Sequence, residues 1–358
     1  MALTLGAAAQ GLVGKGLNAE AKGLDDLAES YFRQATDTSA TARLRLGMLL
    51  ERREHYSEAA RWLSAADTSA TAMAHLAAVR SELKQWPEAK QAAEKAVELA
   101  DAGDGPTRAS AMGTLALFYC AEGNYTNALT WVKKATAEDA GSPRPKNIEG
   151  IILFKRGNIN EAVKAFREAL KADPENADAH FNLGAMYCYR NNPDMAVATL
   201  RKGLKIHRQS VKLLYCLGWA FMLKDESEHA IESLQMAIGI DSTYADAYNR
   251  LGDIYFGRAE YGRAIEQYRK AIHHAPHLTE GYRLLGRTYV EMQQYTKAIG
   301  QYQKAVAIDK KDDETYCRIA ELYGRQKQPA KEKANYRRAA KLGNAAAQKW
   351  CTKNGVTY

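Results

Sequence analysis

The stretch Ala245–Leu278, ADAYNRLGDIYFGRAEYGRAIEQYRKAIHHAPHL, decides the fold. Small and apolar residues recur at three- and four-residue steps, first at Tyr248, Leu251, Gly252 and Tyr255. After a break near Ala259 they return at Tyr261, Ala264, Ile265, Tyr268, Ala271 and Ile272. That spacing keeps returning to one side of an α-helix, so each half is an amphipathic helix of about 12–14 residues. The short break folds the two helices into an antiparallel hairpin. Pro276, lacking an N–H and clashing with the preceding turn, stops the second helix.

Outward from this stretch the same positions return every 34 residues. Gly150, Gly184, Gly218, Gly252, Gly286 and Ala320 form one ladder, which Ala116 extends backward. Ala128, Ala162, Ala196, Ala230, Ala264 and Ala298 form a second ladder in phase with it. A third runs through Ala135, Ala169, Gly203, Ala237, Ala271, Ala305 and Ala339. Small residues at fixed offsets mark places where helix backbones approach closely. A period of this length means stacked hairpins, not one globular core.

The unit resembles the tetratricopeptide repeat. The family's pattern of an aromatic, Leu-Gly, Tyr, Ala, an aromatic, Ala and Pro falls on Tyr248, Leu251-Gly252, Tyr255, Ala264, Tyr268, Ala271 and Pro276. The resemblance implies an all-α, right-handed α-solenoid superhelix of about ten helix-turn-helix units with a C-terminal capping helix. Units of regular length start at Ala109, Pro143, Ala177, Val211, Ala245, Thr279 and Asp313. Upstream units start near Ala9, Ala40 and Ala70, spaced 31 and 30 residues apart. A deficit of that size is about one helical turn, placed in the second helices of the first two units. The expected organisation is therefore a three-unit block over 1–108, a seven-unit array over 109–344 and a capping helix with tail over 345–358. The hexapeptide DTSATA at Asp37–Ala42 and again at Asp67–Ala72 supplies N-capping side chains at both short junctions. Asp101–Thr107, rich in Gly, Asp and Pro, reads as a loop and a candidate hinge between the two blocks.

Composition narrows the functional classes. Leu, Ala, Lys, Glu and Arg dominate, Pro numbers only 8, and 46% of the chain is hydrophobic, which suits helix throughout. No apolar run approaches the roughly 20 residues needed to span a bilayer. The mildly apolar start has no basic region ahead of it, so a cytoplasmic location is expected, with export on an atypical or truncated signal as the alternative. Five Cys with no C-x-x-C spacing fit a reducing compartment. Between Gly324 and Tyr358, nine Lys and Arg face one acid, Glu332, which equals the net charge of +8 of the whole chain. This basic end is either a solvated cap or a surface for nucleic acid or another anionic partner.

No catalytic constellation is present: no phosphate-binding Gly-rich loop, no G-x-S-x-G, no H-E-x-x-H. No enzyme activity, cofactor or metal is expected. His273, His274 and His277 cluster, but Pro276 breaks the helix between them and the reading is a solvated turn. Function is expected as protein–protein interaction. By resemblance, positions 2, 5, 9, 12 and 13 of each unit line a concave groove that takes a peptide segment or partner helix. In the middle units these are Asn147, Ile151, Phe154, Phe181, Tyr189, Tyr215, Trp219 and Met222, an aromatic stripe with Trp219, Tyr215, Phe181 and Tyr189 as anchors. Farther on come Asn249, Arg283 and Arg287, with the two arginines expected to grip a carboxylate of an acidic segment. The Lys and Asn set of arrays that clamp chaperone tails is missing, since Ile151 and Cys216 stand where it needs polar residues. Self-association of the array is a further alternative.

Overall fold

Seven helix pairs close on one seam, where a glycine of the first helix faces a bulky residue 16 positions later on the second. A Cβ added at Gly150 would lie 2.5 Å from Phe166, at Gly184 2.5 Å from Leu200, at Gly218 2.7 Å from Leu234 and at Gly286 2.7 Å from Tyr302. Gly252 faces Tyr268 in the same way. Phe166, Leu200, Leu234 and Tyr268 are almost wholly buried. The glycine ladder of the sequence is thus the row of notches that receives the cores of the second helices. Packing at this density leaves no room for an extra methylene.

The computed structural model describes residues 2–66 and 68–358, and side chains from Ala8 onward. Among these residues every regular element is an α-helix, 21 in all. They run as pairs: α1 (Ala2–Ala21) with α2 (Asp25–Ala35), α3 (Ala40–Arg52) with α4 (Tyr56–Ser64), α5 (Ala70–Glu82) with α6 (Trp86–Leu99), and α7 (Gly105–Ala121) with α8 (Tyr125–Glu138). Next come α9 (Pro143–Lys155) with α10 (Ile159–Ala172), α11 (Ala177–Tyr189) with α12 (Pro193–Ile206), and α13 (Val211–Leu223) with α14 (Ser227–Ile240). The last are α15 (Ala245–Gly257) with α16 (Tyr261–His274), α17 (Thr279–Glu291) with α18 (Tyr295–Ile308), α19 (Asp313–Arg325) with α20 (Pro329–Lys341), and α21 (Ala345–Lys353). The chain divides into two compact units, residues 1–183 and 184–358, with the division inside α11. In the first, α5 packs on both α6 and α7, and α7 on α8 and α9. In the second, α13 packs on α14 and α15, and α15 on α16 and α17.

The N-terminal pairs show how the missing residues are absorbed. α2 has 11 residues and α4 has 9, against 14 in α6, α8 and α10. In both copies of DTSATA the serine is the cap: Ser39 accepts from Ala42 N and Ser69 from Ala72 N, each at 3.2 Å. Asp67 of the second copy lies outside the described residues. The excess in the third pair goes elsewhere than the sequence suggests. Asp104 accepts from Thr107 N at 3.2 Å and starts α7 at Gly105, making that helix 17 residues long. Pro106 suits a first turn, where its missing N–H would have no partner. The expected Asp101–Thr107 loop therefore ends at Asp104.

The turn inside each pair requires a left-handed residue. Gly123 and Gly157 supply it at φ 76° and 92°, as their sequence position implies. Asn191, Asp225, Ala259, Gln293 and Lys327 hold the same position at φ 52–60° without the freedom of glycine. At the far end α21 packs on α20, with Trp350 stacked on Tyr336 at 4.2 Å between ring centroids. Gly355 follows α21 at φ 64°. Among the described residues no helix is long and apolar enough to cross a membrane.

Two stability predictions follow from this geometry. Gly218→Leu should lower the free energy of unfolding by roughly 1–3 kcal/mol, because the seam with Leu234 cannot open without shifting a helix. Urea denaturation followed by circular dichroism measures it, and an unchanged midpoint would disprove the seam. Ala259→Gly should act oppositely and raise stability by about 0.5–1 kcal/mol, because a left-handed alanine is strained by more than the extra unfolded-state freedom of glycine.

Candidate partner-binding face

The residues expected along the groove belong to the first helices of their pairs, and the structure sorts them by burial. In residues 1–183, Asn147 is buried and accepts a hydrogen bond from Asn182 Nδ2 at 3.0 Å. It ties α9 to α11 and is not open to a partner, which corrects its assignment as a groove residue. Ile151, Phe154 and Phe181 are half-buried. In residues 184–358, Asn249 is also buried, so it too is removed from the groove. The position 35 residues on is Leu284, which has no side-chain donor, where the same offset from Asn147 reaches the donor Asn182. Asn249 Oδ1 accordingly has no protein partner.

Tyr215, Trp219 and Met222 on α13 are half-buried, and Tyr189 is exposed. Arg250 on α15 was not among the expected groove residues. Its Nε donates to Tyr215 Oη at 3.3 Å, and its guanidinium lies 5.2 Å from the Trp219 ring centroid and 6.0 Å from that of Tyr215. Tyr215 is held from its other side by Tyr244 in an edge-on contact at 5.5 Å. The aromatic shelf of α13 is therefore roofed by a cation from the next first helix, an arrangement that stabilises the guanidinium over the ring faces. The signal was present in the sequence: Arg250 follows Tyr215 by 35 residues, the same offset that joins Asn182 to Asn147.

Asp253 continues the network. Tyr268 Oη donates to its Oδ1 at 2.9 Å, and Arg287 donates to the same oxygen at 3.0 Å. Burial raises the Asp253 carboxyl above the usual carboxylate range, although Tyr268, Arg287 and Arg250 pull it back. Burial and the adjacent carboxylate push the Tyr268 hydroxyl far above its ordinary value. Arg287 also lies over the Phe256 ring at 4.3 Å. Arg283 donates to Glu280 at 2.7 Å and to Asp312 at 3.5 Å. Both arginines are thus already engaged, Arg283 by Glu280 and Asp312 and Arg287 by Asp253 of the preceding repeat. They border a pocket of about 540 Å³ between α17 and α19, floored by Leu284, Tyr302 and Leu322. Arg283, Arg287, Arg318 and Arg325 alternate there with Glu280, Glu291, Glu314 and Glu321.

Elsewhere, His274 stacks on Tyr248 at 5.6 Å and is not the solvated imidazole expected. All five cysteines are buried and unpaired as thiols. Among the described residues no group of three or more His, Cys, Asp or Glu is placed to hold a metal ion.

Family models described as TPR repeat match residues 150–188 and 286–327. Others described as tetratricopeptide repeat match residues 67–137, 245–278 and 313–342. The chain belongs to the tetratricopeptide repeat family. Among solved structures, a human IFIT1 dimer with PPP-AAAA is 16% identical with a TM-score of 0.59, the match covering 91% of this chain and 89% of that one. The APC/C hetero-tetramer Cut9–Hcn1 is 13% identical at TM-score 0.50, covering 93% and 88%. MamA is 32% identical over 46% of this chain and 96% of its own, at TM-score 0.38. No curated protein sequence matches the chain. At this identity the two longer matches speak for the fold alone. As a tetratricopeptide array, the chain has the architecture of a protein–protein interaction scaffold.

The raised carboxyl of Asp253 carries a pH signature. A carboxyl raised in the folded state takes up a proton on folding, so its contribution favours the fold at low pH and is lost as pH rises through the folded value. The Asp253→Asn variant keeps an acceptor for Tyr268 but has no charge to bury. Its stability relative to the parent should rise as pH increases upward from the ordinary Asp range, read from urea midpoints. The opposite trend would show that the arginines outweigh desolvation.

Proposed function

We propose that this chain is a non-catalytic adaptor that holds a peptide segment or a helix of a partner protein across the first helices α13, α15 and α17. The observation that carries this reading is the aromatic shelf of Trp219 and Tyr215, only half-buried and covered by a single side chain, Arg250. Large rigid aromatics give much contact area at small entropic cost and are preferred anchors at interfaces. An apolar side chain of the partner packs on Trp219 beside Met222, and Tyr189 supplies a further exposed ring.

The charged pocket between α17 and α19 gives orientation. Its four arginines and four glutamates balance, so it discriminates by pattern and not by net charge. An acidic group of the partner takes the place of Glu280 on Arg283. That ion pair is largely exposed on both sides and contributes little by itself, so the exchange is cheap. Arg287 is harder to recruit, because its carboxylate Asp253 is mostly buried. Mechanistically the array is a rigid surface whose anchors come from successive repeats, so affinity is built in steps along the partner.

The test compares the immobilised full chain with its Trp219→Ala variant for retention of cellular proteins, quantified by mass spectrometry. A genuine partner should bind the variant more weakly by about 1–2 kcal/mol, roughly 5- to 30-fold, while helical circular dichroism stays the same. If every retained protein binds both forms equally, this face is not the binding surface.

A further inference from the structure

The basic end of the chain is organised by face. In the last two full repeats the acids sit on the first helices: Glu280 and Glu291 on α17, and Asp313, Glu314 and Glu321 on α19. The second helix α18 has two exposed lysines, Lys297 and Lys304, and no acid at all. On α20 the exposed cations are Lys331, Lys333, Arg337, Arg338 and Lys341. At 100° per residue these five span one arc of the helix, opposite the buried Tyr336 and Ala339. The one acid of α20, Glu332, lies off that arc against the backbone of Gly324. α21 adds the exposed Lys349 and Lys353, one turn apart.

These cations have no internal counter-charge. Among the described residues no ion pair engages any cation from Lys327 to Lys353. By contrast, near the other terminus Arg33 pairs with Glu29 and Glu58, and Arg53 with Asp26 and Glu29. A cluster of unpaired like charges on two short helices repels itself, and an external anion removes that cost.

We infer that the face formed by α20 and α21 docks on the surface of an anionic phospholipid bilayer. Three observations select this polyanion. Most aromatic rings nearby are already occupied: Trp350 stacks on Tyr336, Lys331 lies over Tyr323 and Arg338 over Tyr316, while Tyr358 is exposed as a single ring. One ring is not the row of aromatics on which successive bases of a single strand stack. The cations are mainly lysines, compact hydrated charges that lack the planar fork with which arginine grips individual phosphates of nucleic acid. They lie on one helix arc and its neighbour, and laterally mobile headgroups meet charges at any spacing, whereas duplex phosphates are fixed. Several basic residues on one amphipathic helix are enough for such attraction without inserting any side chain into the hydrocarbon. The first helices of the same repeats carry balanced charge, four arginines against four glutamates around their pocket, and offer the lipid no comparable attraction.

Sedimentation of the full chain with phosphatidylcholine vesicles, with and without phosphatidylserine, tests this. Binding should require phosphatidylserine and fall at least about tenfold between about 50 mM and about 200 mM salt. Lys333→Glu, Arg337→Glu and Lys341→Glu together should reduce it by at least about tenfold, because each cation near the surface contributes attraction separately. A matched reversal of Lys164 and Lys171 on α10 should change it little. If the glutamate set does not fold, glutamine at the same three positions gives the same ordering with a smaller loss. Equal binding to neutral vesicles, no binding at low salt, or equal binding by the α20 variants would overturn the inference. So would tighter binding to a duplex DNA fragment than to the phosphatidylserine vesicles, which would assign the face to nucleic acid.

Discussion

The close approach of two helix backbones at a glycine is the constraint on which this structure depends. Where Gly218 meets Leu234, or Gly286 meets Tyr302, the first helix presents a notch and the second fills it. Removing the side chain on one partner lets the other be large, and the large residue is what the pair buries. Each hairpin is too thin to bury that residue by itself, so it is sealed by stacking on the next hairpin. The same 16-residue offset therefore fixes the internal geometry of a repeat and, through it, which residues of the first helix face outward.

That outward face is built from contacts between repeats. Residues 34 or 35 positions apart meet there: Asn147 with Asn182, Tyr215 with Arg250, Asp253 with Arg287. A side chain one repeat along either satisfies, covers or leaves open the residue before it. Where the follower is Asn182, the earlier position is sealed. Where it is Arg250, an aromatic shelf gains a polar roof. Where it is Leu284, Asn249 is left buried with an unsatisfied oxygen. One rule of stacking thus produces three different local chemistries, the first within residues 1–183 and the other two within residues 184–358.

Charge follows the same layering. In the last repeats the carboxylates gather on first helices, where they engage Arg283 and Arg287, and the unpaired cations gather on second helices. A net charge counted along the chain hides this, because the two signs are interleaved in sequence and separated only by helix. The first helices thus hold charge in balanced pairs and α20 holds it unbalanced.

The sequence by itself determined the helical class, the 34-residue period, the glycine notches, the turn positions at Gly123 and Gly157, and the family. All of these rest on side-chain size and spacing within one repeat, which local geometry translates directly. It also singled out Tyr215, Trp219 and Met222, which the structure leaves half-buried on α13. Tertiary structure alone decided that Asn147 and Asn249 are buried, that Arg250 covers Trp219, and that Arg283 and Arg287 are already engaged. It likewise turned Asp101–Thr107 partly into the first turn of α7, since Asp104 caps a helix there whose start was masked by glycine and proline. The physical reason is reach: a periodic pattern reports which way a Cβ points, but a long arginine chooses its partner from the neighbouring repeat, whose position only stacking sets.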